Sequence, residues 1–163
     1  MRRLFIDMDG TLNQFEKGAS LEEITSPGFF ATRKPHFNLI EAINHLKKVE
    51  LYILSSVFMD NHSIAEKIQW LNENQLQHID IMHRIYVPYG VNKSEYLKIH
   101  YSLQPDDLLL DDFTQNLHQW HGVGIKLYNG INGTKGTWRG YSVHINATSK
   151  VLENSLRGII HFA

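Results

Sequence analysis

Residues 2–12 read RRLFIDMDGTL, and this stretch decides the fold because a short apolar run ends abruptly in two aspartates. The run Leu4–Ile6 predicts a buried β-strand, which is followed at once by Asp7 and Asp9. Because a buried carboxylate needs a partner, two of them at the end of a strand indicate a site for positive charge. The best candidate is Mg²⁺, a hard cation that takes oxygen ligands and leaves positions for a substrate phosphate. The stretch therefore predicts a catalytic, phosphate-directed metal site.

The composition is that of an ordinary globular chain, since 163 residues suffice for one domain with a sizeable core. The formal net charge of −1 argues against binding a nucleic-acid polymer or an anionic membrane through general electrostatics. The absence of cysteine excludes disulfides, thiolate nucleophiles and cysteine-ligated zinc. The sequence starts with a strand pattern rather than an apolar leader, and no run approaches the roughly 20 apolar residues of a membrane span. We therefore expect a cytoplasmic protein of one domain, residues 1–163.

Short apolar runs alternate with helical patterns, which is typical of a parallel sheet covered by helices on both faces. After the first strand, further strands are predicted at Leu51–Leu54, Arg84–Val87, Leu108–Leu110 and Val123–Leu127. Helices are predicted over 37–49, 61–75, 92–101, 114–120 and 148–160. The expected fold is therefore α/β and Rossmann-like. Residues 13–36 break the periodicity and predict a small cap insertion, with one helical turn around 21–24.

Polar residues collect at the carboxyl ends of the predicted strands, where ligands bind in parallel α/β sheets. Ser55 and Ser56 end the second strand and offer hydroxyl and N–H groups to phosphate oxygens, while Asp111 and Asp112 end the fourth. Lys93 falls at the start of a helix, where the helix dipole opposes a cation, and so indicates nearby negative charge. We expect these side chains to meet the aspartates of the first strand around one metal ion and one phosphate.

A second acidic pair provides an internal control. Asp106 and Asp107 flank the same leucine run at its opposite end, about 15 Å from Asp111 at ~3.3 Å per residue. We interpret this second pair as a solvated turn.

Other features leave alternatives open. His118 and His121 share one helical face, which fits a solvated pair better than a zinc site. Phe29 and Phe30 stand in the otherwise polar insertion, where they form either a substrate-facing lid or a small core of their own. The stretch 129–140 is rich in Gly and Asn but matches no phosphate-loop pattern.

The order of these residues resembles the four motifs of the haloacid dehalogenase superfamily of phosphohydrolases. Asp7–Leu12 matches the first motif, Ser55 the second, Lys93 the third and Asp111-Asp112 the fourth. The resemblance covers essentially the whole chain, and the first motif is highly specific. It implies a parallel sheet with a cap after the first strand, Mg²⁺ as cofactor and a phosphomonoester as substrate.

Within that superfamily, the chain is similar to the C-type 5′-nucleotidases, which include the 5′(3′)-deoxyribonucleotidases. The similarity rests on Pro27–Phe30 in the cap, Ser55-Ser56, Glu66-Lys67 with Trp70 in the following helix, and Leu108–Asp112. It implies that Lys67 helps to hold the phosphate, and it makes Phe29 and Phe30 candidate contacts of a nucleoside monophosphate. The insertion is shorter than the helical cap of well-known deoxyribonucleotidases, and Phe113 stands where a polar or basic residue is common.

The resemblance implies a two-step mechanism in which Asp7 attacks the phosphorus and forms an aspartyl-phosphate. Asp9 donates a proton to the departing alcohol and later takes one from the hydrolytic water. The metal ligands are the Asp7 carboxylate, the Asp9 carbonyl and a carboxylate of the Asp111-Asp112 pair, with Asp112 favoured as the direct ligand. Lys93 and Ser55 offset charge on the phosphoryl oxygens.

Alternatives to a nucleotidase are a phosphatase for a sugar phosphate or phosphoprotein, and a receiver-like domain without turnover. A receiver would carry its phosphorylated aspartate at the end of a middle strand, where this chain has Ser55. Asp9 favours a phosphate ester over a halide, because a departing halide needs no proton. The short cap leaves the site open, so that a second subunit could cover it in a homo-oligomer.

Overall fold

A six-stranded parallel sheet forms the centre of the computed structural model, which describes all 163 residues. The strands are β1 (Arg2–Ile6), β2 (Val49–Val57), β3 (Arg84–Pro88), β4 (Leu108–Asp111), β5 (Val123–Tyr128) and β6 (Tyr141–His144). They lie in the order β3-β2-β1-β4-β5-β6, and every neighbouring pair is parallel. The predicted α/β fold with a Rossmann-like parallel sheet is confirmed.

Helices connect the first five strands along the chain, and one more follows β6. They are α1 (Leu21–Ile24), α2 (Phe37–Asn44), α3 (Ser63–Glu73), α4 (Lys93–His100), α5 (Thr114–His118) and α6 (Ser149–Phe162), with a 3₁₀ turn over Ile81–His83. None of them combines the length and apolar character that crossing a bilayer requires. Several end a few residues earlier than the sequence predicts, which is the usual uncertainty at helix ends.

The two faces of the sheet carry two separate apolar clusters. Leu4 and Ile6 of β1 belong to the larger one, which includes buried residues of α2, α3 and α6. Phe5, between them, points to the other face and joins Leu97 of α4 and Leu117 of α5. Because β1 is buried on both faces, its sequence is a continuous apolar run rather than an alternating one.

The sixth strand was not predicted from the sequence. Tyr141–His144 pairs with β5 at the edge of the sheet, and only Val143 of its four residues is buried. A strand with a single inward apolar residue leaves almost no hydrophobic pattern, so its sequence reads as part of the loop that precedes it.

The position of the site follows from the strand order. The chain runs from β1 outward through β2 and β3, then returns to place β4 on the other side of β1. Such a switch point opens a crevice beyond the carboxyl ends of the two central strands. Ile6 is in register with Leu110, and the Asp7 N–H donates to the Leu110 carbonyl at 3.0 Å. Asp7 and Asp111 therefore leave their strands side by side.

Residues 13–36 form the cap, which contains α1 and lies against α3. Ser20 and Glu23 make reciprocal side-chain-to-backbone hydrogen bonds that start α1. The Glu66 carboxylate on α3 then accepts three cap N–H groups, from Gly28 at 2.6 Å, Phe30 at 3.0 Å and Ala31 at 3.4 Å. The buried Glu66 carboxylate thus holds the cap beside the crevice, together with the Trp70 indole, which donates to the Arg33 carbonyl at 2.7 Å.

The interpretation of the second acidic pair as a solvated turn is wrong for Asp107. Asp106 is exposed, but Asp107 is only 2% exposed and receives two hydrogen bonds from the Arg3 guanidinium, at 2.8 and 2.5 Å. Arg3 lies on the neighbouring strand β1, so the pair joins two strands at the amino edge of the sheet. Asp107 has this partner because the two strands are neighbours in the sheet, which the local sequence does not reveal.

Candidate active site

Three buried carboxylates meet at the carboxyl edge of the sheet. Asp7, Asp111 and Asp112 each offer one oxygen, and these oxygens all lie within 4.8 Å of one another. They come from the ends of two adjacent strands, as the register of β1 and β4 requires. The spacing is short enough for one cation to bind all three, and a set of carboxylate oxygens suits a hard ion such as Mg²⁺.

Lys93 lies inside this acidic cluster. Its ammonium donates to Asp7 Oδ1 at 2.6 Å and to Asp111 Oδ2 at 2.9 Å, and the residue is 4% exposed. Lys93 is the first residue of α4, and Asn92 caps this helix by accepting two backbone N–H groups. The carboxylates compensate a cation that the helix dipole would otherwise disfavour.

The charges do not balance within the cluster. Burial raises the pKa of Asp7 well above its ordinary value; Lys93 lowers it, but the neighbouring carboxylates raise it again. Burial and Asp111 raise the pKa of Asp112 to about 6, against two amide hydrogen bonds. Burial lowers the pKa of Lys93, but Asp111 and Asp7 outweigh burial and leave it raised. Three carboxylates face Lys93, with the buried Lys126 beside Asp112, so negative charge still exceeds positive charge and favours a further cation.

Asp9 points away from the cluster and forms an ion pair with Lys67 of α3. Lys67 is fully buried, and its ammonium also donates to Ser55 Oγ at 2.8 Å and to the Ser56 carbonyl at 2.7 Å. The Asp9 side chain is 21% exposed and lines the same cavity as Asp7. Its carboxylate is thus available to a substrate rather than committed to the acidic cluster.

The two serines of β2 have different surroundings. Ser55 is completely buried, with its hydroxyl bonded to Lys67, whereas Ser56 lines the cavity. The sequence predicts phosphate contacts for both residues. The structure brings Ser56 to the surface that a phosphate would meet and puts Ser55 beneath it, in contact with the lysine.

The two carboxylates at the end of β4 are held by different partners. Asp111 accepts from Lys93 and Asn116 at Oδ2, and from the Phe113 N–H at Oδ1. Asp112 accepts from two loop asparagines at Oδ2, while Oδ1 meets only the Thr11 hydroxyl at 3.4 Å. Of the pair, Asp112 has the oxygen that is freer to bind a cation.

Those two asparagines, Asn129 and Asn132, were missed by sequence reasoning. They donate to Asp112 Oδ2 at 2.7 and 2.6 Å from the loop that follows β5. The signal was present, because amide side chains directly after a strand of a parallel sheet lie at the ligand-binding edge. The absence of a known phosphate-loop pattern concealed it.

Gly10 allows the first motif to pass close to Asp112. Its φ is +83°, and a Cβ at this position would lie 2.4 Å from Asp112 Oδ2. Only glycine adopts this conformation without strain and also leaves room for the carboxylate.

An aromatic and aliphatic rim surrounds the carboxylates in a cavity of about 380 Å³. It is formed by Phe15, Leu21, Ile24, Phe58, Tyr89 and Phe113. The Phe58 and Tyr89 rings pack 4.7 Å apart, and Tyr89 and Phe113 remain 67% and 50% exposed. Phe58, Tyr89 and Phe113 each follow a strand or its terminal aspartates, so the strand-end rule could have identified them as site residues.

The two candidate aromatic contacts of the cap differ in position. Phe29 packs against Phe15 and Phe30 with ring centroids 5.7 and 5.2 Å apart, beneath the Arg33 guanidinium at 4.2 Å. Phe29 does not line the cavity and belongs to a small core of the cap. Phe30 is 3% exposed, lines the cavity and lies 4.2 Å from the Lys67 ammonium.

The histidine pair does not form a metal site. The His118 ring bonds the Thr137 hydroxyl at 3.0 Å, and the His121 ring bonds Glu95 at 3.0 Å. Both histidines are exposed and have different partners, in agreement with the interpretation of a solvated pair.

No protein-family model matches the chain, and a search of curated proteins finds no match either. The resemblance to haloacid dehalogenase phosphohydrolases therefore depends on the sequence motifs alone.

Proposed function

We propose that the protein is a Mg²⁺-dependent phosphomonoesterase of the haloacid dehalogenase type, with Asp7 as its nucleophile. One observation carries the proposal: Asp7 lies buried at the switch point of the sheet, beside Asp111, Asp112 and Lys93, in a cavity that Asp9 also lines. The arrangement supplies a nucleophile, a second carboxylate for proton transfer and a surplus of negative charge for a cation.

The donor set fits Mg²⁺. Asp7 and Asp112 would hold the ion, and Asp111 would support it while bound to Lys93. When bound, Mg²⁺ neutralises phosphoryl oxygens and orients the phosphate for in-line attack.

In the first step, a carboxylate oxygen of Asp7 attacks the phosphorus and the bond between phosphorus and the leaving oxygen breaks. Lys93 holds Asp7 in position and offsets negative charge on the phosphoryl group. Asp9 enters this step protonated and gives its proton to the departing oxygen, so that the product leaves as an alcohol.

In the second step, water attacks the phosphorus of the aspartyl-phosphate, and the bond from phosphorus to the Asp7 oxygen breaks. Asp9 accepts the proton of this water, which restores both carboxyl groups to their starting states. Lys67, paired with Asp9 and bonded to Ser55, keeps the Asp9 carboxylate facing the cavity.

The rim supports a nucleoside monophosphate as the substrate. The exposed rings of Tyr89 and Phe113, with the half-buried Phe58 ring beside Tyr89, suit a nucleoside as the leaving group, because its base offers a flat face for stacking. A sugar phosphate would set its hydroxyl groups against rim side chains that are mostly apolar. The observation thus favours a nucleotide over a sugar phosphate.

Phosphate release from p-nitrophenyl phosphate, nucleoside monophosphates and sugar phosphates tests the proposal. We expect Mg²⁺-dependent turnover that Asp7→Asn abolishes while the protein remains folded. Asp106→Asn, at the exposed amino end of β4, is the matched control and should retain activity. Substantial activity in Asp7→Asn, or no Mg²⁺-dependent release from any substrate, would contradict the proposal.

The receiver-like alternative predicts a phosphorylated aspartate that persists. Asp9 beside Asp7 argues for rapid hydrolysis, because a second carboxylate can activate water. If a phosphoryl group stays on Asp7 for minutes in the wild-type protein, which has Asp9, the receiver-like alternative is favoured.

A further inference from the structure

Asn129 and Asn132 fix which oxygen of Asp112 can bind a cation. Both side-chain amides donate to Asp112 Oδ2, at 2.7 and 2.6 Å, while Oδ1 has one long contact with the Thr11 hydroxyl at 3.4 Å. A carboxylate oxygen has about two lone-pair sites. The two amides therefore fill Oδ2 and leave Oδ1 as the available ligand.

The amides are themselves held in place. Asn129 Nδ2 also donates to the Gly10 carbonyl at 2.7 Å, and Asn129 Oδ1 accepts the N–H groups of Ile131 and Asn132 at 2.9 and 3.2 Å. These contacts determine the orientation of the Asn129 amide, because only its NH₂ group can face two acceptors. The Asn129 side chain is therefore held in one orientation, and Asn129 and Asn132 together are called the clamp.

Lys126 of β5 ties the clamp to the sheet. It is fully buried, and its ammonium donates to the Asn132 carbonyl at 2.8 Å and also to the Asp112 carbonyl. The Lys126 ammonium thus joins the backbone of Asp112 to the backbone of the loop that carries Asn132.

The other two carboxylates are restricted as well. Asp111 accepts two donors at Oδ2 and the Phe113 N–H at Oδ1. Asp7 accepts Lys93 at Oδ1 and the Thr11 hydroxyl at Oδ2, at 2.6 and 3.2 Å. No carboxylate of the cluster has both oxygens free to chelate an ion.

We propose that Asn129 and Asn132 are positioning residues that restrict Asp112 to a single coordinating oxygen and thereby select Mg²⁺ over Ca²⁺. The inference rests on the proposed function, in which this cluster holds a metal ion. Mg²⁺ demands six ligands in a compact octahedron, whereas Ca²⁺ takes six to eight and readily accepts both oxygens of one carboxylate. Releasing Asp112 Oδ2 would permit the chelating mode that suits Ca²⁺.

Isothermal titration calorimetry of the metal-free full-length protein with Mg²⁺ and with Ca²⁺ tests this inference. The variants are Asn132→Ala and the double variant Asn129→Ala/Asn132→Ala. The control is Asn146→Ala, which changes an exposed asparagine outside the cluster. Loss of such outer contacts typically weakens metal binding by roughly 10–100-fold.

We expect the Mg²⁺ dissociation constant of the double variant to rise within that range, while the Ca²⁺ constant rises much less or falls. The ratio of the Ca²⁺ to the Mg²⁺ constant should drop by roughly tenfold or more, with an intermediate drop in Asn132→Ala. Since Asn132→Ala keeps the Asn129 contacts, it decides the question if the double variant does not fold.

If Mg²⁺ and Ca²⁺ binding weaken equally, or if neither changes, the ratio of the two dissociation constants stays the same. That result would show a merely structural role and overturn the inference. If the wild-type protein binds neither metal, the proposed function fails together with the inference. If it binds Mg²⁺ and hydrolyses phosphate esters but the ratio does not move in the variants, only the clamp inference fails.

Discussion

The ammonium group of Lys93 donates a 2.6 Å hydrogen bond to Oδ1 of Asp7, although Lys93 is the first residue of helix α4, where the helix dipole opposes a cation. The same ammonium bonds Asp111, so one cation joins the ends of β1 and β4. A buried cation in this position can stabilise negative charge. In the proposed reaction, that charge is on the transferring phosphoryl group.

Replacing Lys93 by Met should reduce kcat by about 10²–10³, the cost of removing one preorganised group that stabilises the transition state. Lys98→Met on the same helix is the control, because Lys98 is exposed and pairs only with Glu95. Steady-state kinetics with saturating Mg²⁺ provides the measurement. A Lys93→Met enzyme within tenfold of the wild type would remove Lys93 from the mechanism.

Gly10→Ala should displace Asp112, because the added Cβ would meet Asp112 Oδ2 at 2.4 Å. Gly18→Ala is a matched control: its φ of +89° imposes similar strain, but no atom lies within 4 Å. Thermal unfolding should show that the free energy of unfolding falls by about 1 kcal/mol or more in both variants. Only Gly10→Ala should also lose Mg²⁺ affinity in calorimetry, and equal metal binding by the two variants would contradict the account.

Mg²⁺ affinity should fall as the pH drops below about 6, the value to which burial and Asp111 raise the pKa of Asp112. A metal ligand must be deprotonated, so the proton on Asp112 weakens apparent binding about tenfold per pH unit below its pKa, and the raised pKa of Asp7 adds to this loss. Calorimetric titration between pH 5 and pH 8 is the measurement. Affinity that does not change over this range would mean that Asp112 is not a ligand.

The stability of the metal-free protein should also depend on pH, in the direction set by the raised pKa of Asp112. A carboxyl whose pKa is raised by folding keeps its proton more firmly in the folded state, so its stabilising contribution is present at low pH and is lost as the pH rises through about 6. Denaturant unfolding at pH 5 and pH 7.5 should therefore show a smaller pH-dependent loss of stability in Asp112→Asn than in the wild type. A larger loss in the variant would reverse the sign and contradict the account.

Glu66→Gln should loosen the cap, because the Glu66 carboxylate accepts N–H groups from Gly28, Phe30 and Ala31. Hydrogen bonds to a charged group contribute about 1.5–3 kcal/mol each, and an amide retains only one acceptor oxygen. Limited proteolysis should cut residues 13–36 faster in this variant than in Glu73→Gln, an exposed change on the same helix. Equal cleavage rates would show that Glu66 does not hold the cap.

The central strands could be predicted from sequence because they are buried on both faces and read as unbroken apolar runs, as in Leu108–Leu110. The same rule placed Asp7, Lys93 and Asp111-Asp112 at one edge, where the structure brings them together. The hydrophobic pattern and the rule that ligands bind at the carboxyl ends of parallel strands thus predicted most of the acidic cluster.

The remaining features depend on contacts between distant segments. Asp107 has the same local sequence character as Asp106, yet Arg3, 104 residues away, makes it a buried residue. Asn129 meets Gly10 and Asp112 only after β5 has joined the sheet. Contacts of this kind depend on the order of the strands in the sheet, so the spacing of nearby residues in the sequence does not predict them.

Trapping the covalent intermediate tests the central claim most directly. Borohydride reduces an aspartyl-phosphate to the alcohol homoserine, which mass spectrometry of peptides can locate after a rapid quench during turnover. The account predicts homoserine at position 7 in the wild type with Mg²⁺ and substrate, and none in Asp7→Asn or with the metal chelated. Mg²⁺-dependent phosphate release with no reduced residue at position 7, or with the modification at another aspartate, would contradict it.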